Sequence, residues 1–136
     1  MEQALLIFGA SIFGLLGVLH LQYTFFTDKF SARDASVTEA MKSTSPKLTK
    51  DTTVWNAWVG FNASHSLGAI FFAAIYIPLS FGNMELINRS PWFSCLPVAV
   101  GFSYLALAKA YWFKIPLVGI LLATLCFTGA AVLINT

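Results

Sequence analysis

The chain alternates long uncharged runs with short polar connections. Residues 4–26, 54–79, 91–113 and 116–134 are almost wholly apolar. The first two carry no charge, and the third holds only Lys109, about one turn from its end. A helix needs about 20 apolar residues to cross the roughly 30 Å hydrocarbon core. Spanning strands of a closed barrel alternate apolar and polar residues over about ten positions. These runs are uniformly apolar. The pattern predicts an all-α polytopic membrane protein, a four-transmembrane-helix bundle forming a single membrane domain over residues 1–136.

The connections carry their own signals. Ser90 before Pro91 reads as an N-cap and an N1 proline, where the missing N–H costs nothing. Lys114, Ile115 and Pro116 leave room only for a tight turn, so the third and fourth spans form an antiparallel hairpin. Pro78 is expected to stop or kink the second span. Pro97 is expected to bend the third, unless a neighbouring helix satisfies the freed carbonyl. Residues 27–53 form the one large polar connection. Within it Ser36-Val37-Thr38-Glu39 matches a capping box, predicting a short amphipathic surface helix that starts there and ends before Pro46.

Composition sharpens the class. The chain is 57% hydrophobic and 10% charged, against about 25% charged in soluble domains, so it cannot cover a water-facing globular surface. A formal charge of +2 is too small to point to nucleic acid. Five of the eight basic residues (Lys29, Arg33, Lys42, Lys47 and Lys50) lie in the first connection. Lys109 and Lys114 join them on that side, leaving Arg89 alone on the other. The positive-inside rule then predicts that residues 27–53 are cytoplasmic and both termini outside. No cleaved signal peptide is expected, since the start carries Glu2 and no basic residue.

An ionisable residue within a span is a functional candidate by default. No Asp or Glu lies inside the four runs, which leaves His20 and His65. Along the second span Trp55, Trp58, Asn62, His65, Phe72 and Tyr76 fall on one side at 100° per residue. Asn62 and His65 are neighbours there. Gly17, His20, Thr24 and Thr27 share a side of the first span, so His20 can approach the same cavity. Tyr104 on the third span is a further candidate, as a pocket wall or as part of an aromatic core. The candidate ligand-binding set is therefore His65, Asn62, His20, Trp58 and Tyr104, with catalytic residues unassigned. The alternative for His65 and Asn62 is hydrogen bonding that holds helices together. On straight antiparallel helices the two histidines differ in depth by roughly 6–7 Å. That offset disfavours a haem b ligated by both, and no cofactor is expected. Two histidines without a carboxylate make no convincing metal site. Cys95 and Cys126, on separate spans at different depths, are read as buried, structural and unbridged. A second face of the second span repeats Asn56, Gly60, Ser64 and Gly68 every four residues. This small-residue stripe predicts a close helix contact lined by Gly60, Ser64 and Gly68.

The segment Trp55-Asn56-Ala57-Trp58-Val59-Gly60-Phe61-Asn62-Ala63-Ser64-His65-Ser66-Leu67-Gly68 resembles the second span of a family of small bacterial four-span membrane proteins. His20-Leu21 and Asp28-Lys29-Phe30 fit the same resemblance. It implies a bacterial cytoplasmic membrane and supplies no catalytic residues. The function expected is a non-enzymatic bundle that binds an apolar ligand, lipid or partner helices as an accessory or assembly subunit. Its partners would be membrane lipids, other membrane subunits or a second copy. The alternatives are a small enzyme acting on a lipid-soluble substrate through His65 and Asn62, or a haem electron carrier using His20 and His65.

Overall fold

The structure, a computed structural model, describes all residues from Met1 to Thr136. It is entirely helical: α1 (Glu2–Phe26), α2 (Ala35–Ser43), α3 (Val54–Gly82), α4 (Met84–Arg89), α5 (Pro91–Tyr111) and α6 (Lys114–Asn135). Helices α1, α3, α5 and α6 have 25, 29, 21 and 22 residues and are apolar enough to cross a membrane. At 1.5 Å per residue the shortest spans about 31 Å, matching the hydrocarbon core. The chain is an all-α, multi-pass membrane protein.

Several element ends differ from expectation. Pro78 lies inside α3, which continues to Gly82. Its ring sits on an exposed face, and Gln3 Nε2 donates to the Ser80 carbonyl at 2.7 Å, pairing one of the helix's last acceptors. The six-residue α4 has no hydrophobic period to announce it. It is held by Ile87, which is fully buried, and carries an exposed Glu85–Arg89 ion pair. Helix α2 starts earlier than the capping box implies. Asp34 is its N-cap and accepts from the Ser36 backbone N–H at 2.9 Å and from the Ser36 hydroxyl at 2.7 Å. Those bonds hold the Asp34 carboxyl below its ordinary range. Glu39, freed from any box, pairs with Lys42 at 2.9 Å. The helix ends at Ser43, with Thr44 extended, two residues before Pro46.

The contacts divide into two compact units, Met1–Leu16 with Ala69–Thr136, and Gly17–Gly68. In the first, α5 and α6 form the expected hairpin, but the turn is made by Trp112 and Phe113, and Lys114, Ile115 and Pro116, expected to make it, open α6. Its pairings run antiparallel: Asn135 Nδ2 donates to Ser94 Oγ at 3.1 Å near one end, and Gly101 faces Thr124 and Phe127 further along. Phe13 of α1 sits at the centre of the core. Its ring lies 5.4, 5.2 and 5.6 Å from those of Phe72, Tyr104 and Phe127, so α1, α3, α5 and α6 each contribute a ring. Gly9 lets α1 approach this cluster, since a Cβ there would stand 2.5 Å from the Phe127 ring.

Proline in α5 is accommodated by a side chain. Pro97, buried inside the helix, has no N–H for the Phe93 carbonyl one turn back. The Tyr76 hydroxyl of α3 donates to that carbonyl at 3.2 Å. A neighbouring helix thus supplies the bond that the proline removes.

The small-residue stripe does not make the contact expected of it. Asn56, Gly60, Ser64 and Gly68 are all exposed, and a Cβ at Gly60 would meet nothing within 4 Å. The close approaches are made elsewhere, at Gly9, Gly14, Gly101 and Gly119. There a glycine receives a neighbouring side chain: Phe127 at Gly9, Ala73 at Gly14, Thr124 at Gly101 and Leu16 at Gly119.

Candidate functional site

Four of the five candidate residues lie in the Gly17–Gly68 unit. His20 comes from α1, and Trp58, Asn62 and His65 come from one side of α3, as the helical period requires. Asn62 is held at both ends of its amide. Nδ2 donates to the Trp58 carbonyl one turn back at 2.8 Å, and Oδ1 lies 3.0 Å from His20 Nε2. With the amide so oriented, Nε2 is the donor and carries the imidazole proton. The His20 and His65 rings meet edge to face with centroids 5.5 Å apart.

The connection after α1 closes over this group. Ser31 N–H donates to the Asp28 carbonyl at 2.9 Å, forming a turn. That turn brings the Phe30 ring to 4.5 Å from the His20 ring. The Trp58 indole N–H donates to the Phe30 carbonyl at 3.1 Å. His20, Asn62, Trp58 and Phe30 thus form a closed circuit of two side-chain bonds, one indole bond and one ring contact. Further along, the Val54 N–H donates to the Thr44 carbonyl at 2.9 Å, and Lys42 lies over the Trp55 ring at 5.8 Å. Lys29 covers the Tyr23 ring at 4.0 Å. These cation–ring contacts set two lysines beside aromatic groups at the span ends.

Beside the circuit is a cavity lined by Thr24, Thr27, Phe30, Ser31, Trp55, Trp58, Val59 and Asn62. Its volume of about 20 Å³ is room for about one water. Small-molecule sites are usually about 300–1,000 Å³, so this cavity does not accommodate a lipid or an apolar ligand. Sequence reasoning missed Phe30 and Ser31 as lining residues, and it placed Trp55 on the right side of α3 without including it in the candidate set. The Asp28-Lys29-Phe30 run was a signal, but nothing in it says that the ring folds back onto His20.

Tyr104 is part of the other unit, where it packs on Phe13 at 5.2 Å and on Trp112 at 6.2 Å. Cys95 is exposed rather than buried, Cys126 is half-buried, and both thiols are free. No three His, Cys, Asp or Glu side chains come together as metal ligands. The histidine pair does not fit a haem between its rings as it stands. The rings are in direct edge contact, and His20 Nε2 is engaged by Asn62. What the arrangement can do chemically is hold one imidazole in a fixed tautomer beside a second imidazole.

Comparison of the chain with protein-family models, curated proteins and solved structures gives no match.

Proposed function

We propose that the protein is a non-enzymatic accessory subunit that docks partner helices in the plane of a bacterial inner membrane. The observation that carries this reading is the outward face of α3. Asn56, Gly60, Ser64 and Gly68 recur every four residues on an exposed surface, and a side chain added at Gly60 would enter open space. Such spacing lets a second helix approach closely, so that dispersion and backbone contacts replace those to lipid. With residues 27–53 in the cytoplasm and both termini outside, seven of the eight basic residues fall on the cytoplasmic side.

The test is native mass spectrometry of the protein extracted in mild detergent, comparing wild type with Gly60→Leu and Gly68→Leu. Wild type is expected to carry a second copy or another membrane subunit. Both variants are expected to lose it while melting like wild type. Wild type running bare, or variants that keep the added mass, would overturn the reading. A second reading, acid–base chemistry on a lipid-soluble substrate, is favoured by the meeting of His20 and His65 at 5.5 Å. It requires that His65→Gln abolish biological function while leaving the fold and its partners intact.

A further inference from the structure

The cavity beside the His20–Asn62 pair matches a water in size and in chemistry. About 10–15 Å³ is needed to hold one water, and about 20 Å³ is present. A buried water also needs two to four polar partners, and the lining supplies them. Thr24 Oγ1 donates to the His20 carbonyl at 2.8 Å and Thr27 Oγ1 to the Tyr23 carbonyl at 2.9 Å. Each hydroxyl has thus committed its proton; Thr24 Oγ1 retains its acceptor capacity, and Thr27 Oγ1, which accepts from the Lys29 N–H at 3.3 Å, retains one further lone pair. Asn62 Nδ2 has two protons and uses one on the Trp58 carbonyl, leaving a donor. Oδ1 has a second lone pair beyond the one facing His20. Ser31 adds a third hydroxyl to the rim. Thr27 and its neighbour Asp28 are exposed, whereas His20, Thr24, Phe30 and Asn62 are half-buried. The polar groups therefore lead inward from the surface to Asn62, whose Oδ1 holds the His20 Nε2 at 3.0 Å.

We propose that this cavity holds an ordered water bridging Asn62 and the threonine hydroxyls, which makes His20 the inner end of a hydrated entry into the first span. His20 exchanges its ring proton with bulk water through that entry, from the end of α1 where residues 27–53 begin. The Phe30 ring and the Trp58 indole form the apolar walls. They confine the path to the Thr24, Thr27 and Asn62 side.

The test uses full-length protein in detergent micelles with 15N-labelled histidine and tryptophan. The His20 ring N–H, assigned by its loss in His20→Gln, is expected to give an exchange cross-peak with water. Thr27→Leu and Ser31→Leu, which fill the cavity, are expected to slow that exchange by about an order of magnitude. The Trp58 indole resonance reports whether the Phe30 turn is still docked. Where leucine dislodges the turn and moves that resonance, Thr27→Val removes the hydroxyl at nearly constant volume and is expected to slow exchange as well. Absence of the cross-peak in wild type overturns the inference. So does unchanged exchange in every variant that keeps the Trp58 resonance in place.

Discussion

Tyr76→Phe removes one oxygen and leaves the Phe93 carbonyl without the donor that replaces the N–H missing at Pro97. Tyr76 is 4% exposed, so water does not take over. Its ring stacks on Phe72 at 4.7 Å, and phenylalanine keeps that packing, which isolates the hydroxyl. An unsatisfied buried group costs about 1–3 kcal/mol. Interhelical hydrogen bonds in membranes average about 0.6 and reach about 1.7 kcal/mol. The 3.2 Å separation is long for a hydroxyl donor, which favours the lower part of the range. The expected loss is about 1 kcal/mol, roughly fivefold in the folding equilibrium. Pro97→Ala supplies the control, because an alanine at that position restores a backbone N–H for the Phe93 carbonyl. In that background Tyr76→Phe is expected to cost close to nothing, giving a coupling of about 1 kcal/mol. The assay is reversible unfolding in mixed micelles, titrated with sodium dodecyl sulfate and followed by tryptophan fluorescence. Equal losses in the two backgrounds would refute the account of how α5 tolerates its proline.

The same unfolding assay separates two kinds of glycine. Gly9→Ala forces a Cβ to 2.5 Å from the Phe127 ring, which Phe13 and Phe72 hold in place, and is expected to cost about 1–3 kcal/mol. Gly60→Ala meets nothing and is expected to be neutral or to gain up to about 1 kcal/mol from helix propensity; the opposite ranking would contradict the packing. Asp34 makes a pH prediction. Its carboxyl lies below the ordinary value in the folded protein, so its contribution to α2 is complete above the unfolded value of about 3.9. That contribution fades as pH falls through the lower folded value. The Ser36 amide resonance is expected to move across that acid window in wild type and to stay flat in Asp34→Ala.

Span positions were legible because a bilayer demands about 20 apolar residues in a row, and each run satisfies it without a competing pattern. Helix ends were less legible, because caps and tertiary partners decide them. Both Asp34 and Ser36 are good N-caps by residue type. Asp34 takes the role because its carboxylate accepts both the Ser36 amide and hydroxyl, while Glu39 turns to Lys42. Pro78 reads as a terminator in a sequence, but here its ring lies on an exposed face and α3 continues to Gly82, whose last turn gains a donor from Gln3. Helix α4 depends on the burial of Ile87, which no six-residue window announces.

For the site, helical periodicity identified which residues share a side, and backbone depth alone misjudged how near the histidines come. Straight helices separate His20 and His65 by roughly 6–7 Å along the axis, yet the ring centroids are 5.5 Å apart. The reason lies in the direction of the Cα–Cβ bond, which tilts toward the N-terminus of its own helix. His20, near the end of α1, leans deeper into the span. His65, on the antiparallel α3, leans back toward the start of its helix. The two side chains therefore lean toward one another and close the offset. Periodicity has no comparable power to say which face meets which neighbour. Tyr104 turns to Phe13, and the four-residue stripe on α3 faces outward. Where glycine meets a bulky ring, as Gly9 meets Phe127, the contact needs one small residue and one large one, not a repeat. A repeat of small residues instead leaves a long smooth strip of backbone. On an exposed helix face that strip rests against lipid chains, and it lets a second helix approach closely and replace them.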